Sequence, residues 1–412
     1  MLTREQKKKF NAIFEELGSN LDISQTEFDA AVQSYQAVGK HLSDANSSLL
    51  PYEPEILPQG SFLLGTTIKP IHKTDDLDID LVVQLRGKPL DWTQYILKQK
   101  VGNQLKNHKT YNEMLVSPDG IRCWTLKYRE NAEFGRYHMD ILPSIVDSGY
   151  RIILEKAFSD AELSALDNLA IRITDKHRLD YTSERDHRNW LKSNPFGYAK
   201  WFFSQATIAA TTKAFSLREA IQPVPKFQKE KLPLQRVVQI LKRHRDMMYS
   251  IRADKDDKPI SIIITTLAGK AYKGETDVIE ALQNVVQTMH EYIGEYHPIT
   301  GKKMKWIANP VNEAENFADK WILHPNRQTN FYEWLEQVKK DIGKATSIND
   351  NRLIMESLEK PFGKDIIQKA FSNLEKGMLL TSAATTLSAS TSKNITTELP
   401  TKLPQPKREG FQ

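Results

Sequence analysis

Asp78 and Asp80 stand two residues apart inside the apolar run Leu77-Asp78-Ile79-Asp80-Leu81-Val82-Val83. In a strand, side chains at i and i+2 point to the same face. The two carboxylates therefore project together, while Leu77, Ile79 and Leu81 turn the other way into a core. Paired carboxylates repel unless a cation lies between them, and hard oxygen donors suit Mg²⁺. A metal pair held in this way stabilises both the attacking and the leaving oxygen of a phosphoryl transfer.

An Asp-x-Asp pair alone also fits the solvent face of an ordinary strand. Two neighbours add to it. Upstream, Gln59-Gly60-Ser61 forms a small turn whose backbone N–H groups and hydroxyl can hold a phosphate. Downstream, Tyr137-His138-Met139-Asp140-Ile141-Leu142-Pro143 alternates again and presents Asp140 as a third carboxylate. His138 shares the Asp140 face, where it either orients that carboxylate or is satisfied in the core. Asp75 and Asp76 read as turn residues ahead of the strand.

These residues need elements to position them. Phe10, Ile13, Phe14 and Leu17 recur at helical spacing, and a second helix from about Ser24 carries Phe28, Val32, Tyr35, Val38 and Leu42. Pro51 and Pro54 break the pattern before the Gly-Ser turn. After the Asp78 strand, a helix is predicted around Trp92–Asn107, then strands near Ile121–Tyr128 and Tyr137–Leu142, with Ser117-Pro118-Asp119-Gly120 as a turn. From about Asn189 the chain reads as mainly helical. Leu234, Val237, Val238, Leu241 and Met248 mark one stripe, and Gln235, Gln239, Lys242 and Asp246 the polar side. Ile260–Leu267 is strand by propensity and buried helix by continuation. Helices are expected over Val278–Tyr292 and Phe331–Ile342, and Trp190, Trp201, Phe202 and Phe203 as core. Beyond about Gly377 the chain is rich in Thr, Ser, Lys and Pro, a composition that cannot offset the entropy of ordering.

Composition bounds the function. The chain has 412 residues, 26% charged and 40% hydrophobic, with a net charge of +5. That suits two soluble lobes that handle anionic nucleotides and is too mild to demand a nucleic-acid partner. No apolar run approaches the ~20 residues of a membrane helix. Cys123 is the only cysteine, which excludes intrachain disulfides and cysteine-based metal sites. The start of the chain leads into an amphipathic pattern rather than a signal peptide, so a reducing cytoplasm is expected.

With these motifs in place, the chain resembles the DNA polymerase β-like nucleotidyltransferases. It resembles more closely their cyclic GMP–AMP synthase-like bacterial branch, the CD-NTases of CBASS antiphage systems. The resemblance covers roughly residues 20 to 345. It rests on Gln59-Gly60-Ser61 with Asp78-Ile79-Asp80-Leu81, on His138 to Pro143, on Trp190 to Pro195, on Leu234 to Asp246, on Pro259-Ile260-Ser261-Ile262-Ile263 and on Asn309-Pro310-Val311 leading to Trp321. It implies an α+β fold: a nucleotidyltransferase core with a mixed sheet (residues 1–188), a C-terminal helical lobe (189–376), a disordered tail (377–412) and an active site in the cleft between the lobes.

The resemblance also implies roles. Asp78, Asp80 and Asp140 would be the catalytic carboxylates and hold two Mg²⁺ ions, with Mn²⁺ as a substitute. Gln59, Gly60, Ser61, Lys242 and Ser261 would contact the donor triphosphate. Lys242 is equally a solvated charge in the run Lys242-Arg243-His244-Arg245, and Ser261 equally a helix N-cap. Nucleotidyl transfer from ATP, GTP or UTP would release pyrophosphate, and a second round would close a cyclic di- or trinucleotide that activates an effector. Cyclisation comes from the resemblance alone, so linear oligonucleotide synthesis, terminal transfer and nucleotidylation of protein or tRNA by a toxin stay open. The tail ends Lys407-Arg408-Glu409-Gly410-Phe411-Gln412, similar to CD-NTase tails conjugated to targets by ubiquitin-transferase-like enzymes, and equally an ordinary frayed terminus.

Overall fold

The structure is a computed structural model that describes residues 2–72, 75–131, 135–159, 166–208 and 227–377. Of the tail expected to be disordered (377–412), Gly377 is helical, and 378 to Gln412 lies outside the described residues.

Two capped helices open the chain. Thr3 and Gln6 form a capping box for α1 (Arg4–Leu21), and Ser24 and Glu27 one for α2 (Gln25–Leu42). Each box satisfies two N–H groups that the first turn leaves without partners. A strand, β1 (Glu55–Pro58), leads directly into the five-residue helix α3 (Gly60–Leu64). The Gly-Ser segment is thus a strand-to-helix junction rather than the simple turn expected. The remaining elements of this half are β2 (Leu77–Arg86), α4 (Gln94–Lys106), α5 (Lys109–Met114), β3 (Trp124–Asn131), β4 (Gly135–Val146), α6 (Tyr150–Ser159), β5 (Ile171–Ile173) and β6 (Leu191–Ser193).

The six strands form one mixed sheet in the order β1-β2-β4-β5-β6, with β3 also pairing β4. β2 and β4 run parallel, with Asp78 opposite His138 and Asp80 opposite Asp140. Alternation then sorts the side chains. Ile79, Leu81, Val83 and Leu85 join Met139 and Ile141 in a core closed by α2 and α4. Val82, Leu142 and Val146 face the opposite way into a second core that continues through the helical half. Asp78 and Asp80 share the face of Val82, so they point towards that half at the open end of the sheet.

The helical half comprises α7 (Pro195–Ala206), α8 (Pro233–Tyr249), α9 (Ser261–Ala271), α10 (Val278–Thr288), α11 (Pro325–Thr346) and α12 (Asn351–Phe362). The ambiguous segment from Ile260 is helix, and Ile263, Ile264 and Leu267 are buried in it. Trp190, Trp201, Phe202 and Phe203 are buried as expected of core residues. Four short strands that the helical pattern hid pair as two hairpins: β7 (Gly294–Tyr296) with β8 (Lys303–Trp306), and β9 (Ala308–Asn309) with β10 (Asn312–Asn316). Packing and chain order diverge at both ends of the first half. Phe10, Phe14 and Leu17 of α1 pack in the helical core, while β6, beyond residue 188, is the edge strand of the sheet. Among the described residues, no helix is long and apolar enough to cross a membrane.

Candidate active site

A cleft of about 890 Å³ opens between the sheet and the helical half. Its lining includes Gly60, Ser61, Asp78 and Asp80 from one side and Lys242, Arg245, Asp246 and Ser261 from the other. The volume lies in the range of small-molecule sites, which run to roughly 1,000 Å³.

β1 and β2 set the first wall. Gln59 is extended, donates its N–H to the Asp80 carbonyl at 2.8 Å and caps α3 by its backbone. Gly60 has φ 59°, which favours glycine, and a Cβ there would overlap the Asp80 carboxylate. The glycine thus lets the α3 junction sit directly against Asp80. The Ser61 hydroxyl lies 3.2 Å from that of Thr67.

The carboxylates differ in setting. Burial, reinforced by repulsion from Asp140 and Asp78, pushes Asp80 up to about 6, with Lys242 opposing. Asp78 is also raised, by burial and by Asp140, against the pull of His138. Its side chain is 82% exposed at the mouth of the cleft, so burial acts on it less than on Asp80. Asp140 accepts a hydrogen bond from the Thr125 hydroxyl at 2.5 Å, across the β3–β4 register. Three hard-oxygen groups that repel one another are a donor set that fits a divalent cation in kind. Among the described residues, no three His, Cys, Asp or Glu side chains close into a finished metal cage.

The opposite wall is α8, and its polar side is not solvated. Gln235, Gln239, Lys242, Arg243 and Arg245 are all buried. Several reach across to backbone carbonyls at the end of α3 and in the segment after it: Gln235 to Leu64 at 2.8 Å, Gln239 to Thr67 at 2.9 Å, Lys242 to Thr66 at 3.0 Å and Arg243 to Lys69 at 2.6 Å. Burial, aided by Arg245, lowers Lys242 to about 8, although Asp246, Asp80 and Asp78 pull it back up. Lys242 is therefore a desolvated cation facing the carboxylates, and the solvated alternative falls. Ser261 opens α9, but Ile260 is its N-cap, so the N-cap alternative for Ser261 falls as well. The structure thus brings Gly60, Ser61, Asp78, Asp80, Lys242 and Ser261 to one cleft, with Asp140 paired to Asp80 behind them and Gln59 at the junction.

Sequence reasoning missed Asp76. Rather than a plain turn residue, it takes Arg136 at 2.8 Å, His138 at 2.8 Å and Lys127 at 3.3 Å. Burial alone would raise its pKa, but His138, Lys127 and Arg136 outweigh burial and hold it below the usual carboxylate range. His138, whose other ring nitrogen lies 3.8 Å from Asp78, bridges the two acids. The alternation Arg136, His138, Asp140 was the signal for this charged face. Asp75 does behave as a turn residue, accepting from the His72 N–H at 3.3 Å.

Residues 9–155 match the Second Messenger Oligonucleotide or Dinucleotide Synthetase domain. A c-di-GMP synthase of Roseivirga ehrenbergii is 27% identical over 376 residues, which cover 90% of this chain and 88% of the relative. The structure of the Bradyrhizobium diazoefficiens CD-NTase CdnG in complex with GTP superposes with a TM-score of 0.63 at 20% identity, over 89% of this chain and 99% of that one. The 3'-deoxy GTP-bound Vibrio cholerae DncV gives 0.51 at 15% identity, over 89% and 91%. The fold is that of the polymerase β-like nucleotidyltransferases.

Proposed function

We propose that the chain is an enzyme of the CD-NTase kind and condenses nucleoside triphosphates, a guanine nucleotide among them, into a cyclic dinucleotide with release of pyrophosphate. One observation carries the reading: Asp78 and Asp80 on β2 meet Lys242 on α8 across a single cleft large enough for nucleotides. A c-di-GMP synthase relative and a GTP-bound structural neighbour support the guanine preference.

Asp78, Asp80 and Asp140 would hold Mg²⁺. When bound, the metal supplies charge neutralisation for the carboxylates and the triphosphate. The chain's own residues do the rest. Ser61 and Ser261 offer hydroxyls to phosphate oxygens, and Gln59 and Gly60 shape the junction beside them. Lys242 exchanges the Thr66 carbonyl for a phosphate oxygen, a stronger, charge-assisted partner. The acceptor ribose oxygen bonds the α-phosphorus as the bond to the pyrophosphate oxygen breaks, and its proton leaves to a carboxylate. A second transfer within the linear product closes the ring. Signalling to an antiphage effector, a cytoplasmic setting and conjugation of the C-terminal tail by a ubiquitin-transferase-like enzyme belong to the same proposal.

Incubation with all four nucleoside triphosphates and Mg²⁺, phosphatase treatment and mass spectrometry test it. A phosphatase-resistant dinucleotide containing guanine is expected. Phosphatase-sensitive chains would establish a linear polymerase, and label transferred to protein or tRNA a toxin.

A further inference from the structure

Arg245 stands three residues after Lys242 on the same face of α8. It is 5% exposed, and a buried guanidinium needs partners for its charge and its donors. Its Nε donates to Asp246 Oδ1 at 2.8 Å, and Nη2 lies 2.7 Å from the same oxygen. Lys258 also reaches Asp246 Oδ1, at 3.4 Å. The remaining nitrogen, Nη1, leaves α8 altogether. It donates to the Pro259 carbonyl at 3.1 Å and to the Ser261 hydroxyl oxygen at 2.9 Å.

That last contact fixes the direction of a proton. A hydroxyl oxygen that accepts from a guanidinium must donate its own hydrogen elsewhere. Among the described residues, no hydrogen bond takes the Ser261 proton inside the protein. Ser261 lines the cleft, one residue past an N-cap that has no side-chain cap of its own. A charged donor behind the hydroxyl also polarises it towards an anionic acceptor.

We infer that Arg245 is a positioning residue: it anchors the start of α9 through Pro259 and turns Ser261 into an oriented donor aimed at the triphosphate. The inference rests on the reading of Ser261 as a phosphate contact. Lys242 and Arg245 then divide the work along one helix face, the first meeting phosphate directly and the second acting through Ser261.

Isothermal titration tests this with the unaltered chain, R245Q, S261A and the double variant. Each is titrated in Mg²⁺ with GTP and ATP, and with GMP and AMP, which lack the outer phosphates. For whichever triphosphate binds the unaltered chain, R245Q and S261A should each weaken it about tenfold, as expected for a hydrogen bond to a charged group. The double variant should be no weaker than either single one, and monophosphate affinity should stay within about twofold. If S261A binds triphosphate normally, Ser261 is no phosphate contact and both statements fall. If S261A weakens binding while R245Q does not, or the two losses multiply, only the role of Arg245 falls. Equal losses for mono- and triphosphate would mark Arg245 as merely structural. Should R245Q fail to fold, R245Q/D246N removes the buried charge pair as a unit and is read against the same outcomes.

Discussion

β2 and α8 line opposite walls of one cleft and carry their polar groups by different means. On β2, Asp78 and Asp80 alternate with buried Ile79 and Leu81, so one face is apolar and the other chemical. On α8 the apolar stripe and the polar side are both buried, because Gln235, Gln239, Lys242 and Arg243 spend their donors on carbonyls of residues 64–69. The strand presents carboxylates that Lys242 and His138 offset only in part. The helix presents Lys242 held by a neutral carbonyl, which a phosphate can outbid, and Arg245 already paired with Asp246. The contrast teaches that the carboxylates are the strained side of the site and the helix the prepared side.

The largest expected effect breaks the strained side. D78A/D80A should lower nucleotide consumption by at least about 10³-fold, because charge stabilisation at the reacting phosphate is lost. Its melting temperature should not fall. Consumption near the normal rate would remove β2 from the chemistry.

A second prediction measures the strain itself. Asp80 is raised from 3.8 to about 6 in the folded state, so its contribution to stability is present at low pH and lost as pH rises through that window. In chelator at pH 7, D80N should therefore be more stable than the unaltered chain by on the order of 2–3 kcal/mol, at about 1.4 kcal/mol per pKa unit. The gain should fade towards pH 4. Mg²⁺ should raise the melting temperature of the unaltered chain more than that of D80N. A D80N variant no more stable at pH 7 than at pH 4, relative to the unaltered chain, would deny the repulsion.

The smallest effect tests the prepared side. Gln239 also donates to Asp22 at 2.8 Å and accepts from Arg236 at 3.0 Å. Q239L removes these hydrogen bonds and the one to Thr67, leaving Asp22 and Arg236 to each other and Ser19, and should cost about 2 kcal/mol, read by denaturant unfolding. The KM for nucleotide should rise a few-fold as the 64–69 segment loosens, whereas kcat should hardly change. Unaltered stability would show that this buried contact is not structural.

The same contrast explains what the sequence could and could not reveal. Asp78, Asp80 and Asp140 were legible because period-two alternation fixes a face from local spacing alone. Their register, Asp80 opposite Asp140, follows once β2 and β4 pair. The burial of the α8 polar side was not legible, since its partners lie more than 170 residues away in sequence, as for Gln235 with Leu64. β1 and α3 were too short to carry a period, at four and five residues. The hairpins between Gly294 and Asn316 escaped for the same reason. Asp76 looked like a turn residue because the three basic side chains that hold it, Lys127, Arg136 and His138, come from β3 and β4.

In the proposed mechanism one wall demands a cation and the other receives the triphosphate. The affinity of D78N/D80N and the unaltered chain for GTP, with chelator and then with Mg²⁺, tests it most directly. Without metal, the variant should bind GTP more tightly, because the carboxylates that repel the triphosphate are gone. Mg²⁺ should then tighten the unaltered chain by about tenfold or more and leave the variant nearly unchanged. Equal tightening of both by Mg²⁺ would contradict the account.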